Sequence, residues 1–163
     1  MAKVFEEIDY YKELKKIFGK KKINNEEKRV IKLCINNLDE KYYYNKYYKD
    51  TYSSYNLFEI LIYNELYEYA EYLLQIGFDI NYRKRQSDLN TFYNYMYEFK
   101  DSIKILRAID LILKYEPSFK PIEVLIGNRT FLFDPLDHIE EHKNLIPITY
   151  KIIHEYIENN NLN

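Results

Sequence analysis

Leu73-Leu74-Gln75-Ile76-Gly77-Phe78-Asp79-Ile80-Asn81 carries an apolar pair, then a glycine, then alternating apolar and polar residues. The pair closes a helical stripe. Gly77 fits the left-handed position just past a helix C-terminus, where a missing Cβ removes the steric cost. Upstream, Tyr67 to Ile76 has helical spacing, and so does Leu57 to about Asn64. Asn64-Glu65-Leu66 between them leaves room only for a tight turn, so the two helices are predicted to run antiparallel.

Downstream the pattern returns. Asn90-Thr91-Phe92-Tyr93-Asn94-Tyr95 parallels Asn56-Leu57-Phe58-Glu59-Ile60-Leu61 after 34 residues. Ala108 to Glu116 parallels Ala70 to Gly77, with an insertion around Glu98–Ile103, and Glu116-Pro117 stands where the glycine stood. A weaker third copy spans Thr130 to Asn160. Its helices are expected at about Pro135–His142 and Pro147–Glu158, with Asn160 near the left-handed cap. Pro121–Gly127 (PIEVLIG) is a short apolar piece in the connection.

The stretch from Leu73 to Asn81 resembles the end of an ankyrin repeat, whose pattern is Leu-Leu-x-x-Gly-Ala-Asp-Val/Ile-Asn, and the copies recur near that family's period of about 33 residues. Asn56 to Leu61 falls where the family has Thr-Pro-Leu-His-x-Ala; only Phe58 matches well, and the Thr-Pro turn and the histidine are missing. The resemblance covers about residues 51–160. It implies an all-α fold, a short ankyrin-like solenoid of antiparallel helix pairs over 51–163, capped by N-terminal helices over 1–50, the whole forming one compact body. A generic bundle of helical hairpins is the alternative.

The N-terminal third does not match the repeat. A helix over about 3–18 would present Val4, Ile8, Tyr11, Leu14 and Phe18, and Gly19 would stop it. A second, over about 25–38, would be capped by Asn25 and bury Val30, Ile31, Cys34, Ile35 and Leu38. Lys41 to Lys49, dense in tyrosine and lysine, reads as a helix or half-exposed turn. Such helices could shield the open apolar edge of the first pair.

Composition narrows the function. Of 163 residues, 47% are hydrophobic and 31% charged, enough to bury a core and remain solvated. The net charge of −2 makes no global case for nucleic acid or membrane. Residues 1–50 hold 13 basic and 9 acidic side chains, a net +4, and the remainder carries −6. Ordinary solvated helix faces explain this, as does a basic contact region. The twenty tyrosines and no tryptophan fit a bias toward A/T-rich codons, although tyrosine also serves interfaces well. The lone Cys34 excludes an intrachain disulfide and fits a reducing, cytoplasmic setting; its apolar neighbours make it a core residue. The charged start, MAKVFEEIDYYKELKK, is no secretion signal, and no window approaches the ~18 apolar residues of a membrane span.

Catalytic signatures are scarce. His138-Ile139-Glu140-Glu141-His142 matches H-x-x-E-H, which sets two histidines on one helix face as zinc ligands with Glu141 as base. Only 21 residues follow, too few for the distant carboxylate ligand that fold needs, so the motif reads as an exposed charged surface. Three scattered glycines cannot build a phosphate loop, and no cofactor or metal is implied. The expectation is a non-catalytic module that binds another protein, an adaptor or small inhibitor. By the resemblance, its contact residues are Tyr82, Arg83, Arg85 and Gln86 in a finger-like loop, and Tyr93 and Tyr97 on an inner helix. The alternative is nucleic-acid association through Lys20, Lys21, Lys22, Lys41, Lys46 and Lys49 with the interleaved tyrosines.

Overall fold

The computed structural model describes residues 7–50, 53–98 and 100–162. Val4 of the first expected stripe, Thr51 at the expected start of the repeats and Phe99 of the insertion lie outside them. The described residues are mostly helical, with eight α-helices and two small antiparallel sheets. The all-α expectation is corrected by those sheets. The chain divides into two compact units, Met1–Leu73 and Leu74–Asn163.

In the first unit, α1 is Tyr10–Phe18 and α2 is Asn25–Asn37, and they pack on one another. Helix α1 starts later than residue 3 because Asp9 caps it, its side chain accepting from the Lys12 N–H at 2.9 Å. Ile8 falls before the helix and is exposed. Asn24, not Asn25, caps α2. Its side chain takes the Glu27 N–H at 2.8 Å while the Glu27 carboxylate takes the Asn24 N–H, a reciprocal pair that satisfies two donors at once. Leu14, Ile17, Phe18, Ile31, Cys34 and Ile35 form the core between the helices.

A 3-10 turn over Glu40–Tyr44 leads to β1 (Tyr47–Tyr48), which pairs antiparallel with β2 (Ser54–Tyr55). Helix α3 (Leu57–Tyr63) packs on the turn and on both strands. Five of its seven residues are buried, so it is apolar nearly all round rather than on one stripe. Asn56 and Glu59 repeat the reciprocal cap seen at α2. The helix ends with Glu65 at φ +59°. The Glu65 N–H reaches Ile62 O and the Leu66 N–H reaches Leu61 O, both at 2.9 Å, which closes a Schellman turn. Helix α4 (Tyr67–Gln75) follows after three residues.

In the second unit, Gly77 has φ +120°, as expected of a residue that reverses the chain after α4. Helix α5 (Thr91–Tyr97) is capped by Asn90, 34 residues after the cap Asn56. Helix α6 (Ile103–Leu113) is capped by Ser102 and closed near Glu116, at φ +52°. Then comes a hairpin absent from the sequence expectation: β3 (Ile122–Ile126) pairs with β4 (Arg129–Phe133) in unbroken register from Ile122↔Phe133 to Ile126↔Arg129. Gly127, at φ +61°, opens its two-residue turn. Helices α7 (Pro135–Glu141) and α8 (Pro147–Asn159) complete the unit. Proline stands in the first turn of each, where its missing N–H costs nothing. Asn161, rather than Asn160, takes the left-handed position after α8. Helix α5 packs on α6 and on α7, and α6 packs on α8.

Helix α8 has no side-chain cap of its own. Asp101, from the α5–α6 connection, supplies one from a distance. Its carboxylate accepts from the Ile148 N–H at 2.7 Å, the Thr149 N–H at 3.0 Å and the buried Thr149 hydroxyl at 2.7 Å.

Candidate interaction surface

In the second unit, the loop over residues 81–90 lies against β3. Arg83 pins it: its guanidinium donates to the carbonyls of Asp88 and Gln86 within the loop and of Glu123 on β3, at 2.8–2.9 Å. The Leu125 N–H adds a bond to Gln86 O at 3.0 Å, and the Asn81 side chain takes the Ser118 N–H at 2.9 Å. Arg83 therefore acts as a staple, donating three times to main-chain carbonyls. Tyr82, Arg85 and Gln86 of the same loop keep exposed side chains.

Tyr93 needs a correction. It was expected on the inner-helix surface and is completely buried, wedged beside Phe92 and Phe133, with its hydroxyl donating to Lys120 O at 2.5 Å. Burial pushes its pKa up. Helix α5 has seven residues, two turns, so its apolar positions Phe92, Tyr93 and Met96 all fall inward. Tyr97 stays half-exposed and stacks on the His138 ring at 5.4 Å.

His138 also departs from expectation. It is buried rather than on an exposed charged surface, held between Tyr97 and Phe133, with the His142 ring 4.7 Å away. Burial first, then the neighbouring His142, lowers its pKa. His142 directs Nδ1 at the His138 carbonyl at 2.8 Å. The motif is thus an aromatic and imidazole stack that anchors α7. Among the described residues no three His, Cys, Asp or Glu side chains gather as metal ligands would.

The hairpin exposes what sequence reasoning passed over. Ile126 is 61% exposed, Phe131 49% and Leu132 70%, and Leu125 joins them. Single exposed apolar residues are common, but four on one short hairpin are a feature to explain. The signal was available: Gly127-Asn128 between two runs rich in Ile, Val, Leu, Thr and Phe is a hairpin signature.

In the first unit part of the lysine and tyrosine segment is used in packing, while Tyr48 stays exposed. Tyr43 and Tyr47 are buried, Tyr42 stacks on Tyr11 at 4.9 Å, and the Tyr47 hydroxyl donates to Tyr42 O at 3.0 Å. Lys49 donates to Lys20 O and to the Asn64 side chain, Lys20 pairs with Glu27, and Lys41 lies over the Tyr42 ring. Lys21, Lys22 and Lys46 point to solvent.

No protein-family model, curated protein or solved structure matches the chain. Among the described residues no helix is long and apolar enough to cross a membrane. The case for function therefore rests on the geometry of this chain alone.

Proposed function

We propose that the chain is a non-catalytic protein-binding module, an adaptor or small inhibitor, built on degenerate ankyrin-like helix pairs. Its contact surface is the β3–β4 hairpin with the adjoining loop residues Tyr82, Arg85 and Gln86. The observation that carries this is the display of Leu125, Ile126, Phe131 and Leu132 on a hairpin whose base is held rigid by Arg83. Apolar and aromatic side chains on a rigid support lose little entropy when a partner covers them.

The repeat reading draws support from three features. Asn56 and Asn90 cap their helices at the repeat interval. Helices α5 and α6 form one pair, and α5 lies on α7 while α6 lies on α8, as stacked pairs would. The hairpin lies between α6 and α7, where a finger-like loop would sit. Tyr93, being buried, drops out of the proposed surface.

Nucleic-acid association through the N-terminal lysines is the weaker reading. Stacking on successive bases needs several open aromatic faces, and Tyr43 and Tyr47 are enclosed, with Tyr48 exposed. Affinity capture from the native host, run with the unaltered chain and with Ile126→Asp plus Leu132→Asp, tests the proposal. A protein recovered at near-equal stoichiometry by the first and lost by the second supports it. Recovery of nucleic acid alone, unaffected by the hairpin changes, overturns it.

A further inference from the structure

We propose that the outer edge of β4 pairs with the same edge of a second copy of this chain, joining two hairpins into one four-stranded antiparallel sheet. This rests on reading the hairpin as a protein-binding surface and names the occupant of one edge of it.

The pairing pattern decides which groups are open. A two-residue turn makes Ile126 and Arg129 the first hydrogen-bonded pair, and alternation makes Val124/Phe131 and Ile122/Phe133 the next. Glu123, Leu125, Thr130 and Leu132 therefore turn their N–H and C=O groups away from the hairpin. On β3 those groups are used, Leu125 N–H by Gln86 and Glu123 C=O by Arg83. On β4, Thr130 and Leu132 are exposed, and their outward groups form an open ladder.

Edge strands usually carry a lysine, a proline or a bulge that blocks such pairing. The strand Arg129-Thr130-Phe131-Leu132-Phe133 carries a charge only at its first residue, has no proline, and its register is unbroken. Among the described residues the β3 edge is covered and the β4 edge is bare.

The second copy is favoured over another strand because this edge complements itself. Set antiparallel about Phe131, Thr130 of one copy faces Leu132 of the other as a hydrogen-bonded pair, so both outward residues on each side find partners. Phe131 meets Phe131 across the axis as a non-hydrogen-bonded pair, the site of closest side-chain approach. The ends are oppositely charged, with Arg129 at the start and Asp134 and Asp137 just past the finish. Antiparallel self-pairing sets the basic end of each strand beside the acidic end of its mate; parallel pairing would set like beside like.

Sedimentation velocity of the full chain over micromolar to hundreds-of-micromolar concentrations tests this. The expected result is a monomer–dimer equilibrium that Thr130→Pro shifts to monomer. The Thr130 N–H faces away from β3, so proline there removes an outward donor and leaves the hairpin's own bonds. Unchanged circular dichroism and Tm verify that the variant folds. Independently, in a Cys34→Ser background, Phe131→Cys should give a disulfide-linked dimer on mild oxidation, and Asn128→Cys, off the axis, should not. A chain monomeric throughout, a dimer indifferent to Thr130→Pro, or equal cross-linking at 128 and 131 overturns the proposal. If the chain is monomeric while the hairpin aspartates still abolish capture of another protein, this pairing fails and the binding-module reading stands.

Discussion

Glu65, Glu116 and Asn161 hold φ between +52° and +59°, a region that costs a residue with a Cβ roughly 1–2 kcal/mol. Each follows a helix and turns the chain, the task Gly77 performs after α4. Glu65 and Glu116 are exposed. Glu65→Gly and Glu116→Gly should therefore each raise stability by about 0.5–1 kcal/mol, the relief of strain exceeding the added freedom of the unfolded chain. Gly77→Ala should cost about 1 kcal/mol, although a Cβ there would meet nothing within 4 Å, because its penalty lies in the backbone. Urea unfolding midpoints check all three, and a stabilising Gly77→Ala would contradict the assignment. His138 supplies a pH test at the same scale. Its folded pKa sits below the ordinary histidine value of about 6.5, so the unfolded chain binds the proton more readily. Its contribution is complete above pH 6.5 and is lost as pH falls through the lowered folded value. His138→Phe should flatten the stability slope between pH 7 and 5, with the two proteins unfolded side by side in urea.

At the scale of elements, the long-range cap on α8 is the most vulnerable connection. Asp101→Ala leaves the Ile148 and Thr149 N–H groups and the buried Thr149 hydroxyl without their acceptor, and should cost about 1–3 kcal/mol. Asp101→Asn keeps one acceptor oxygen and should cost less. Amide exchange should rise first in the opening turn of α8; a uniform rise across the unit would refute a local cap. This contact also marks what the sequence could disclose. Helix starts marked by local spacing or by a first-turn proline were legible: Leu57, Tyr67, Pro135 and Pro147 begin where the sequence sets them. Asp101 was not, because a bond spanning 47 residues leaves no local pattern. The hairpin was missed because Ile122-Glu123-Val124-Leu125-Ile126 is a short apolar run that periodicity cannot assign, and only Gly127-Asn128 distinguishes it. That residues 82–86 form a loop was legible. Arg83's inward role and the burial of Tyr93 were not, since two helical turns do not define a face.

The whole molecule carries its charge unevenly, +4 in residues 1–50 and −6 beyond, and this asymmetry separates the two modes of association. Binding to nucleic acid through Lys21, Lys22 and Lys46 would release counterions, and its affinity would fall steeply as salt rises. Binding through Leu125, Ile126, Phe131 and Leu132 removes apolar area from water. Salt screens the few charges at the rim and leaves that term intact or strengthened. Arg129 and Asp134 contribute to orientation, and their attraction is the part that screening reduces. Raising NaCl from about 50 to 500 mM, which shortens the Debye length roughly threefold, should therefore change partner affinity by less than about threefold and leave Ile126→Asp defective throughout. A loss of a hundredfold or more over that interval, shared by Lys21→Ala and Lys22→Ala at low salt, would place the contact on the basic N-terminal third instead. The hairpin variant separates the two outcomes by itself, because an aspartate there damages an apolar contact at every salt concentration and a phosphate contact at none.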